Sequence, residues 1–224
     1  MEKKYLFFDI DGTLTDRSTG EIVPSAREAL TRLEENGHFV AIATGRAHYK
    51  ARKFTDANGF KNMVCCGGNG CVIDNELVEN IPLDKDGCIK IIHQAEELGY
   101  GWCVALDDTK DVYMTDDKFL RQVGKRKEPT RYIIDDMLEV EKADAIYKVY
   151  VAIPKEDEEK LTTKELVGHL RFEPEYLMFQ PDNKRGGIIK MMEHLNADIK
   201  DVVVFGDDYN DMDMFCPEWF SIAM

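Results

Sequence analysis

Short apolar runs alternate with helical patterns over the first third of the chain. Tyr5–Phe8 and Phe39–Ala43 are continuous apolar runs of the length typical of buried strands, and Asn62–Cys66 has the same character. Between the first two runs, Pro24 begins a stretch with apolar residues at helical spacing, which ends at Asn36-Gly37. Strands that alternate with helices predict a parallel sheet with helices on its faces.

The middle of the chain has a different character, because short strands and helices mix there without regular alternation. The predicted elements are helices at Cys88–Leu98 and Asp116–Lys127 and strands at Gly101–Leu106, Val112–Thr115 and Tyr147–Ile153. Such an α+β mixture is typical of an inserted domain.

The first pattern returns towards the end of the sequence. A predicted helix at Gly187–Leu195 leads into the strongly apolar strand Val202–Phe205. We therefore predict an α/β protein whose core is built from residues 1–78 and 182–224, with residues 79–181 inserted as a second domain.

The charge of the chain narrows the choice of partners. The 224 residues include 29 Lys and Arg against 43 Asp and Glu, which gives a net charge of -14. This is the wrong sign for a protein that tracks a phosphate backbone, so we expect no nucleic-acid partner. A small phosphorylated substrate is still compatible, because exposed charges more than about 8 Å away are largely screened at physiological ionic strength.

No apolar run predicts a membrane partner. Runs such as Tyr5–Phe8 fall far short of the roughly 20 residues that a membrane-spanning helix needs, and the N-terminus lacks the apolar region of a signal peptide. We expect a cytoplasmic protein that is a monomer or a weak homo-oligomer. The 6 cysteines include no C-x-x-C pair, so we expect reduced, mostly structural thiols.

Polar clusters stand where predicted strands end, which is where open α/β sheets bind their ligands. Asp9 and Asp11 flank one residue after the first strand, and two carboxylates so close resist joint ionisation unless a cation or a shared proton compensates. Oxygen ligands favour Mg2+, and Gly206–Asp211 adds further acids at another strand end. Thr44 and Lys184 offer a hydroxyl and an ammonium for phosphate oxygens. Each of these residues alone also has a simpler interpretation. Asp, Asn and Thr-Gly are common in turns at strand ends, and a surface lysine is usually solvated.

One glycine-rich segment is interpreted as backbone geometry. Gly67–Gly70 resembles a phosphate-cradling loop but lacks the Lys-Ser/Thr of a P-loop. We therefore expect a tight turn or a hinge into the inserted segment.

Four motifs together carry a family resemblance. In order they are Asp9-Ile-Asp-Gly-Thr-Leu-Thr15, Thr44-Gly-Arg46, Lys184 and Gly206-Asp-Asp-Tyr-Asn-Asp211. This combination resembles the haloacid-dehalogenase-like phosphatase superfamily, and the long insertion is similar to the large α/β cap of its Cof-type group, subclass IIB. The resemblance implies a Rossmann-like core with an inserted cap. It also implies Mg2+-dependent hydrolysis of a small phosphorylated metabolite, with a sugar phosphate expected, through an aspartyl-phosphate.

The resemblance further implies a role for each matching residue. Asp9 would be the nucleophile and Asp11 the general acid and base. The implied metal ligands are Asp9, Asp207 and the backbone carbonyl of Asp11, supported by Asp211. The implied phosphate-binding residues are Ile10, Thr44, Gly45, Lys184 and Asn210.

Two features of this sequence depart from the family pattern. Family members generally continue with another helix and strand after the segment matching Ser221–Met224, so the resemblance predicts further chain there. Lys184 is followed by Arg185 rather than directly by glycine, which makes Arg185 a rival for the lysine role.

Other functions remain compatible with the same motifs. A phosphotransferase or mutase would differ in using a sugar hydroxyl rather than water as acceptor. A receiver-like module would carry a long-lived phosphoaspartate without multiple turnover, although Asp11 and the large insertion disfavour it. A dehalogenase is also disfavoured, because displacing a halide needs neither a metal nor a protonated leaving group.

Overall fold

The computed structural model describes residues 2–126 and 130–224, which form two compact units. The core unit comprises Met1–Asn80 and Asp182–Met224, and the inserted unit comprises Ile81–Pro181. The α/β fold class with a mainly parallel core sheet is confirmed. That these units act as catalytic core and cap stays a prediction.

The described residues contain thirteen strands and five α-helices. The strands are β1 Tyr5–Phe8, β2 Phe39–Ala43, β3 Met63–Cys65, β4 Gly70–Ile73, β5 Glu76–Asn80, β6 Trp102–Ala105, β7 Asp111–Met114, β8 Arg131–Ile134, β9 Lys148–Val151, β10 His169–Glu173, β11 Tyr176–Phe179, β12 Val202–Gly206 and β13 Phe220–Ala223. The helices are α1 Pro24–Glu35, α2 His48–Asn58, α3 Lys85–Glu97, α4 Lys118–Val123 and α5 Lys184–His194.

The core unit is built on a seven-stranded sheet with the order β13-β12-β1-β2-β3-β4-β5. Neighbouring strands from β13 to β3 run parallel, whereas β4 and β5 are antiparallel additions. Phe8 lies opposite both Ile42 and Phe205, so β1, β2 and β12 end at the same edge of the sheet.

The alternation of side chains along β1 explains the layers around this sheet. Leu6 and Phe8 join the buried cluster that includes Leu30 of α1 and Ala51 of α2. Phe7 points to the other face and joins the cluster that includes Ile188, Met191 and Met192 of α5. Both faces are therefore buried, as continuous apolar strands require.

The inserted unit has a six-stranded sheet with the order β10-β11-β9-β6-β7-β8. Its strands pair antiparallel except for β7 with β8. Ile91, Ile92 and Ala95 of α3 pack on one face, and Phe119 of α4 packs on the other.

The prediction of a tight turn at Gly67–Gly70 is confirmed, whereas its alternative, a hinge into the inserted segment, is wrong. A short 3-10 turn at Cys66–Gly68 leads into β4, so the segment continues the core sheet and does not open the inserted unit. Asp74 and Asn75 both have positive φ, 48° and 68°, and form the two-residue turn between β4 and β5. Asp and Asn tolerate this conformation better than most residues, so the pair was a readable hairpin signal.

Other strands were also not predicted: β8, β10 and β13 are short and partly polar, and β11 is apolar but only four residues long. The predicted helix Asp116–Lys127 is shorter in the structure, where α4 ends at Val123, and Lys127 lies outside the described residues. Within residues 2–126 and 130–224, the structure contains no helix with the length and hydropathy of a membrane span.

Candidate active site

Three strand ends bring the predicted motifs to one edge of the core sheet. The amide of Asp9 donates to the carbonyl of Phe205 at 3.0 Å, which continues the pairing of β1 with β12 by one residue. The amide of Thr44 likewise donates to the carbonyl of Val64 at 2.9 Å, just beyond the end of β2. Parallel pairing in register therefore gathers motifs that lie far apart in the sequence.

Lys184 is the buried cation of this edge. It is the first residue of α5, whose start is fixed by Asn183, since the side chain of Asn183 accepts from the amide of Gly186 at 2.9 Å. The Lys184 Nζ lies 2.7 Å from Asp9 Oδ1 and 2.5 Å from Asp211 Oδ1. The side chains of Lys184 and Asp211 are 1% and 0% exposed, so this ion-paired triad is withdrawn from water.

Burial and charge act in opposite directions within the triad. Burial raises the pKa of Asp9 to about 6, against the effect of Lys184, and the charge of Asp211 adds to the increase. Burial by itself would lower the pKa of Lys184, but the carboxylates of Asp9 and Asp211 outweigh it and raise that pKa. The lysine is therefore held as a cation between two acids.

Asp207 brings a third carboxylate to the same place. One oxygen each of Asp9, Asp207 and Asp211 lie within 4.8 Å of one another. Asp211 also orders the loop, because its Oδ2 accepts from the amides of Asp207 at 3.0 Å and Asp208 at 3.2 Å. Asp207 in turn accepts a hydrogen bond from Thr13 Oγ1 at 2.8 Å.

The donor set suits a hard divalent cation. Three carboxylates face the ammonium of Lys184 and, at Asp207, the largely exposed guanidinium of Arg17, so the group keeps an excess of negative charge in a largely buried place. Carboxylate oxygens are the protein ligands that Mg2+ prefers. The residues present therefore fit the predicted metal.

Gly12 allows the first loop to approach Asp207. Its φ is +101°, and a Cβ at this position would lie 2.2 Å from Asp207 Oδ2. Only glycine combines this backbone conformation with such a close approach. The glycine of the first motif is therefore required by packing against the fourth motif.

Asp11 lies apart from the buried triad. Its side chain is 62% exposed, and it forms an ion pair with Arg46. Arg46 Nη2 contacts Oδ1 at 2.6 Å and Oδ2 at 2.8 Å, while Arg46 Nε contacts Oδ2 at 3.1 Å. The two acids of the first motif thus have different cations as partners.

The predicted phosphate-binding residues have different surroundings. Thr44 is buried, and its Oγ1 accepts from the amide of Arg46 at 3.2 Å, whereas Gly45 is half-buried. Ile10 is buried, and its carbonyl accepts from the amides of residues 14 and 15. Asn210 is half-buried in the 3-10 turn Tyr209–Met214.

Arg185 does not share the position of Lys184. Its guanidinium contacts Glu218, and its amide donates to Asp213 Oδ2 at 2.8 Å. Of these two residues, Lys184 contacts Asp9 and Asp211, whereas Arg185 contacts Glu218. The geometry therefore favours Lys184 for the role that the sequence left between them.

Sequence reasoning assigned no role to two arginines that contact the motifs. Arg17 forms an ion pair with Asp207, and Arg46 forms the pair with Asp11. Arg46 directly follows Thr44-Gly45 and was readable as part of a motif. Its partner was not readable, because the pair joins residues 35 positions apart.

Comparison with known proteins gives this arrangement a family context. Residues 6–224 match the family model described as haloacid dehalogenase-like hydrolase. The chain is 28% identical over 227 residues to YkrA of Bacillus subtilis (strain 168), which is named as a phosphatase, with coverage of 100% of this chain and 87% of the relative. It is 26% identical over 246 residues to the pyridoxal phosphate phosphatase YbhA of Escherichia coli (strain K12), with coverage of 100% and 88%.

A solved structure agrees in fold. The structure of a sugar phosphatase of HAD subclass IIB has a TM-score of 0.75 and 22% identity to this chain, and the match covers 99% of this chain and 87% of that one. At this identity the likeness concerns the fold.

Proposed function

The chain belongs to the haloacid dehalogenase-like hydrolase family, and from that premise we propose that it is a Mg2+-dependent phosphatase of a small phosphorylated metabolite, with a sugar phosphate as the preferred class. Relatives that align over the whole chain are named phosphatases, one of them for pyridoxal phosphate. The sugar-phosphate class is taken from the family resemblance, and a subclass IIB sugar phosphatase shares the fold of this chain.

One observation carries the proposal most directly. Asp9, Asp207 and Asp211 converge within 4.8 Å, and Lys184 contacts two of them. A buried group of three acids and one cation offers both metal ligands and a fixed positive charge, which are the two needs of phosphoryl transfer.

Asp9 is the proposed nucleophile. A carboxylate oxygen of Asp9 attacks phosphorus, the bond from phosphorus to the substrate oxygen breaks, and an aspartyl-phosphate forms. Asp11 gives a proton to the departing oxygen. In the second step Asp11 takes a proton from water, the water oxygen attacks phosphorus, and the Asp9 carboxylate is released together with inorganic phosphate.

The phosphoryl oxygens need positive or hydrogen-bonding partners during both steps. We assign this role to the ammonium of Lys184 and the hydroxyl of Thr44. The amide of Ile10, together with Gly45 and Asn210, is assigned to the same role. Lys184 is already held in place by its carboxylate partners, so its charge is oriented before substrate arrives.

Asp9, Asp207 and the backbone carbonyl of Asp11 are the proposed Mg2+ ligands, with Asp211 as support. When bound, Mg2+ supplies positive charge that offsets the charge of the carboxylates and of the phosphoryl group. The inserted unit, Ile81–Pro181, is the proposed cap that selects the substrate.

A screen of purified protein against phosphorylated metabolites tests the proposal. The panel contains sugar phosphates, pyridoxal phosphate and an aryl phosphate, and inorganic phosphate release is measured. We expect turnover with Mg2+, loss of turnover after exhaustive chelation and recovery on adding Mg2+ back. Ca2+ should inhibit, because its looser and higher coordination would misplace Asp9 for attack.

The matched control is Asp9→Asn, which keeps the shape of the side chain and removes the nucleophile. Turnover that persists in chelator would overturn the metal assignment, and turnover that persists in Asp9→Asn would overturn the aspartyl-phosphate mechanism. Transfer of the phosphoryl group to an added sugar hydroxyl rather than to water would reassign the protein to the phosphotransferases.

A further inference from the structure

Arg46 holds the carboxylate of Asp11 at three points. The guanidinium contacts are 2.6 Å and 2.8 Å from Nη2 and 3.1 Å from Nε. Nε and Nη2 lie on one edge of the guanidinium, so these contacts leave lone pairs of the carboxylate free to take a proton from water. This fork, in which Nε and Nη2 of Arg46 bind the two oxygens of Asp11, therefore fixes the direction of the Asp11 side chain. It also fixes the site at which the carboxylate can react.

Arg46 is itself fixed on several sides. Its amide donates to Thr44 Oγ1 at 3.2 Å, and its carbonyl accepts from the amide of Cys66 at 2.8 Å. Its guanidinium lies over the ring of Phe54, with 5.6 Å between Cζ and the ring centroid. The side chain of Arg46 is 24% exposed, against 62% for Asp11. The arginine is thus the more rigidly placed member of the pair.

We propose that Arg46 is a positioning residue that orients Asp11 to take a proton from water during hydrolysis of the aspartyl-phosphate. This inference rests on the proposed function. Asp11 lies on a loop and is largely exposed, so without Arg46 its carboxylate would sample several rotamers. Orientation of the catalytic group is worth a large factor in rate, since a misplacement of about 1 Å can cost roughly 100-fold.

The step that Arg46 supports is fully balanced by groups already named. One O–H bond of water breaks and its proton goes to a carboxylate oxygen of Asp11. The water oxygen forms a bond to phosphorus, the bond from phosphorus to the Asp9 oxygen breaks, and the electron pair returns to Asp9. In this scheme Arg46 contributes through its contact with Asp11 and takes no part in bond making or breaking.

An aryl phosphate isolates this step, because a phenolate leaves readily without a proton and formation of the aspartyl-phosphate then needs little from Asp11. The experiment is rapid mixing of Arg46→Ala with an aryl phosphate in the presence of Mg2+. We expect a burst of phenolate close to one equivalent, followed by a steady state that is roughly 10- to 100-fold slower than in the unaltered protein. KM should not rise.

The matched control is Arg52→Ala, since Arg52 lies six residues further along the chain, on α2, is 54% exposed and pairs with an acid, Asp56, at 3.5 Å. It should behave as the unaltered protein. Arg46→Lys keeps the charge but cannot form the fork, and it should recover only part of the steady-state rate. In Asp11→Asn, adding Arg46→Ala should cost less than about two-fold, because Arg46 then has no base to position.

Other results would overturn the inference in recognisable ways. A raised KM without a burst would make Arg46 a substrate-binding residue. If Arg46→Ala cost as much in the Asp11→Asn background as in the unaltered protein, Arg46 would act independently of Asp11. If the steady-state rate of Arg46→Ala equalled that of Arg52→Ala, Arg46 would have no role in the reaction. Absence of phosphate release by the unaltered protein would instead overturn the proposed function, on which the inference depends.

Discussion

Asp9 and Asp11 lie two residues apart on one loop, yet their surroundings are opposite. Asp9 is 6% exposed and pairs with Lys184, whose side chain is 1% exposed. Asp11 has a 62% exposed side chain and pairs with Arg46. The end of β1 explains the difference, because Asp9 still pairs with β12 through its amide whereas Asp11 has left the sheet.

The two ion pairs should therefore differ in what they do for stability. A buried charge that loses its partner is left without solvent or counter-charge, which is strongly destabilising. An exposed pair exchanges its partner for water at little cost. The same change, removal of the cation, should be severe at Lys184 and mild at Arg46.

Lys184→Met should show the largest effect. It removes the charge but keeps most of the length of the side chain, and it leaves the carboxylates of Asp9 and Asp211 buried together. We expect the free energy of unfolding to fall by about 3–5 kcal/mol and turnover to be lost. Urea unfolding in the presence of chelator measures the first effect without a contribution from metal binding.

Arg185→Ala is the control for that variant. The side chain of Arg185 is 40% exposed and contacts Glu218, so the free energy of unfolding should change by about 1 kcal/mol or less and turnover should stay within a few-fold. If Arg185→Ala proved the more damaging change, the roles of the two residues would have to be exchanged.

Asp11→Asn should come next and should affect the reaction rather than the fold. On an alkyl or sugar phosphate, whose leaving oxygen needs a proton, we expect a loss of roughly 10²- to 10⁴-fold in turnover. On an aryl phosphate, stopped-flow measurement should show a burst of phenolate and then a slow steady state. Equal losses in the first step on both substrates would mean that another group carries the proton.

Gly12→Ala tests the junction between the exposed and the buried acids. A Cβ at Gly12 would lie 2.2 Å from Asp207 Oδ2, so this variant should lose about 1–3 kcal/mol of unfolding free energy and bind Mg2+ more weakly by calorimetry. Gly20→Ala is matched, because Gly20 also has a positive φ, +71°, but a Cβ there meets no described atom within 4 Å. Equal Mg2+ affinity in both variants would argue against a metal role for Asp207.

Arg46→Ala should have only a small effect on stability. Because its partner Asp11 is largely exposed, we expect the free energy of unfolding to fall by about 1 kcal/mol or less in urea. A loss as large as that of Lys184→Met would show that the exposed pair also supports the fold, and the contrast between the two pairs would fail.

Much of the core was readable from the sequence, because its signals are local. Tyr5–Phe8 and Phe39–Ala43 are strands with the predicted bounds, and the start of α1 at Pro24 follows from the preference of proline for the first helical position. Parallel pairing then places the polar residues that follow each strand at one edge. The meeting of Asp9 and Asp207 could be anticipated on this basis.

Other features depend on contacts that sequence order does not reveal. The strand β13 is partly exposed and polar, and only its pairing with β12 defines it. Tertiary geometry decides that Asp11 pairs with Arg46 and that Asp207 pairs with Arg17. The sequence does not reveal these pairs, because other lysines and arginines lie close to both arginines along the chain. Charge alone therefore predicted an acidic site but not its arginine partners.

Lys184 has two carboxylate partners, and this gives it a property that a simple ion pair lacks. If Asp9 becomes phosphorylated, its carboxylate gives up its negative charge, but Asp211 still holds the ammonium at 2.5 Å. Asp211 is in turn anchored through the amides of Asp207 and Asp208. Asp211 therefore keeps the Lys184 ammonium in position while Asp9 reacts. The positive charge beside phosphorus should stay in the same place throughout turnover.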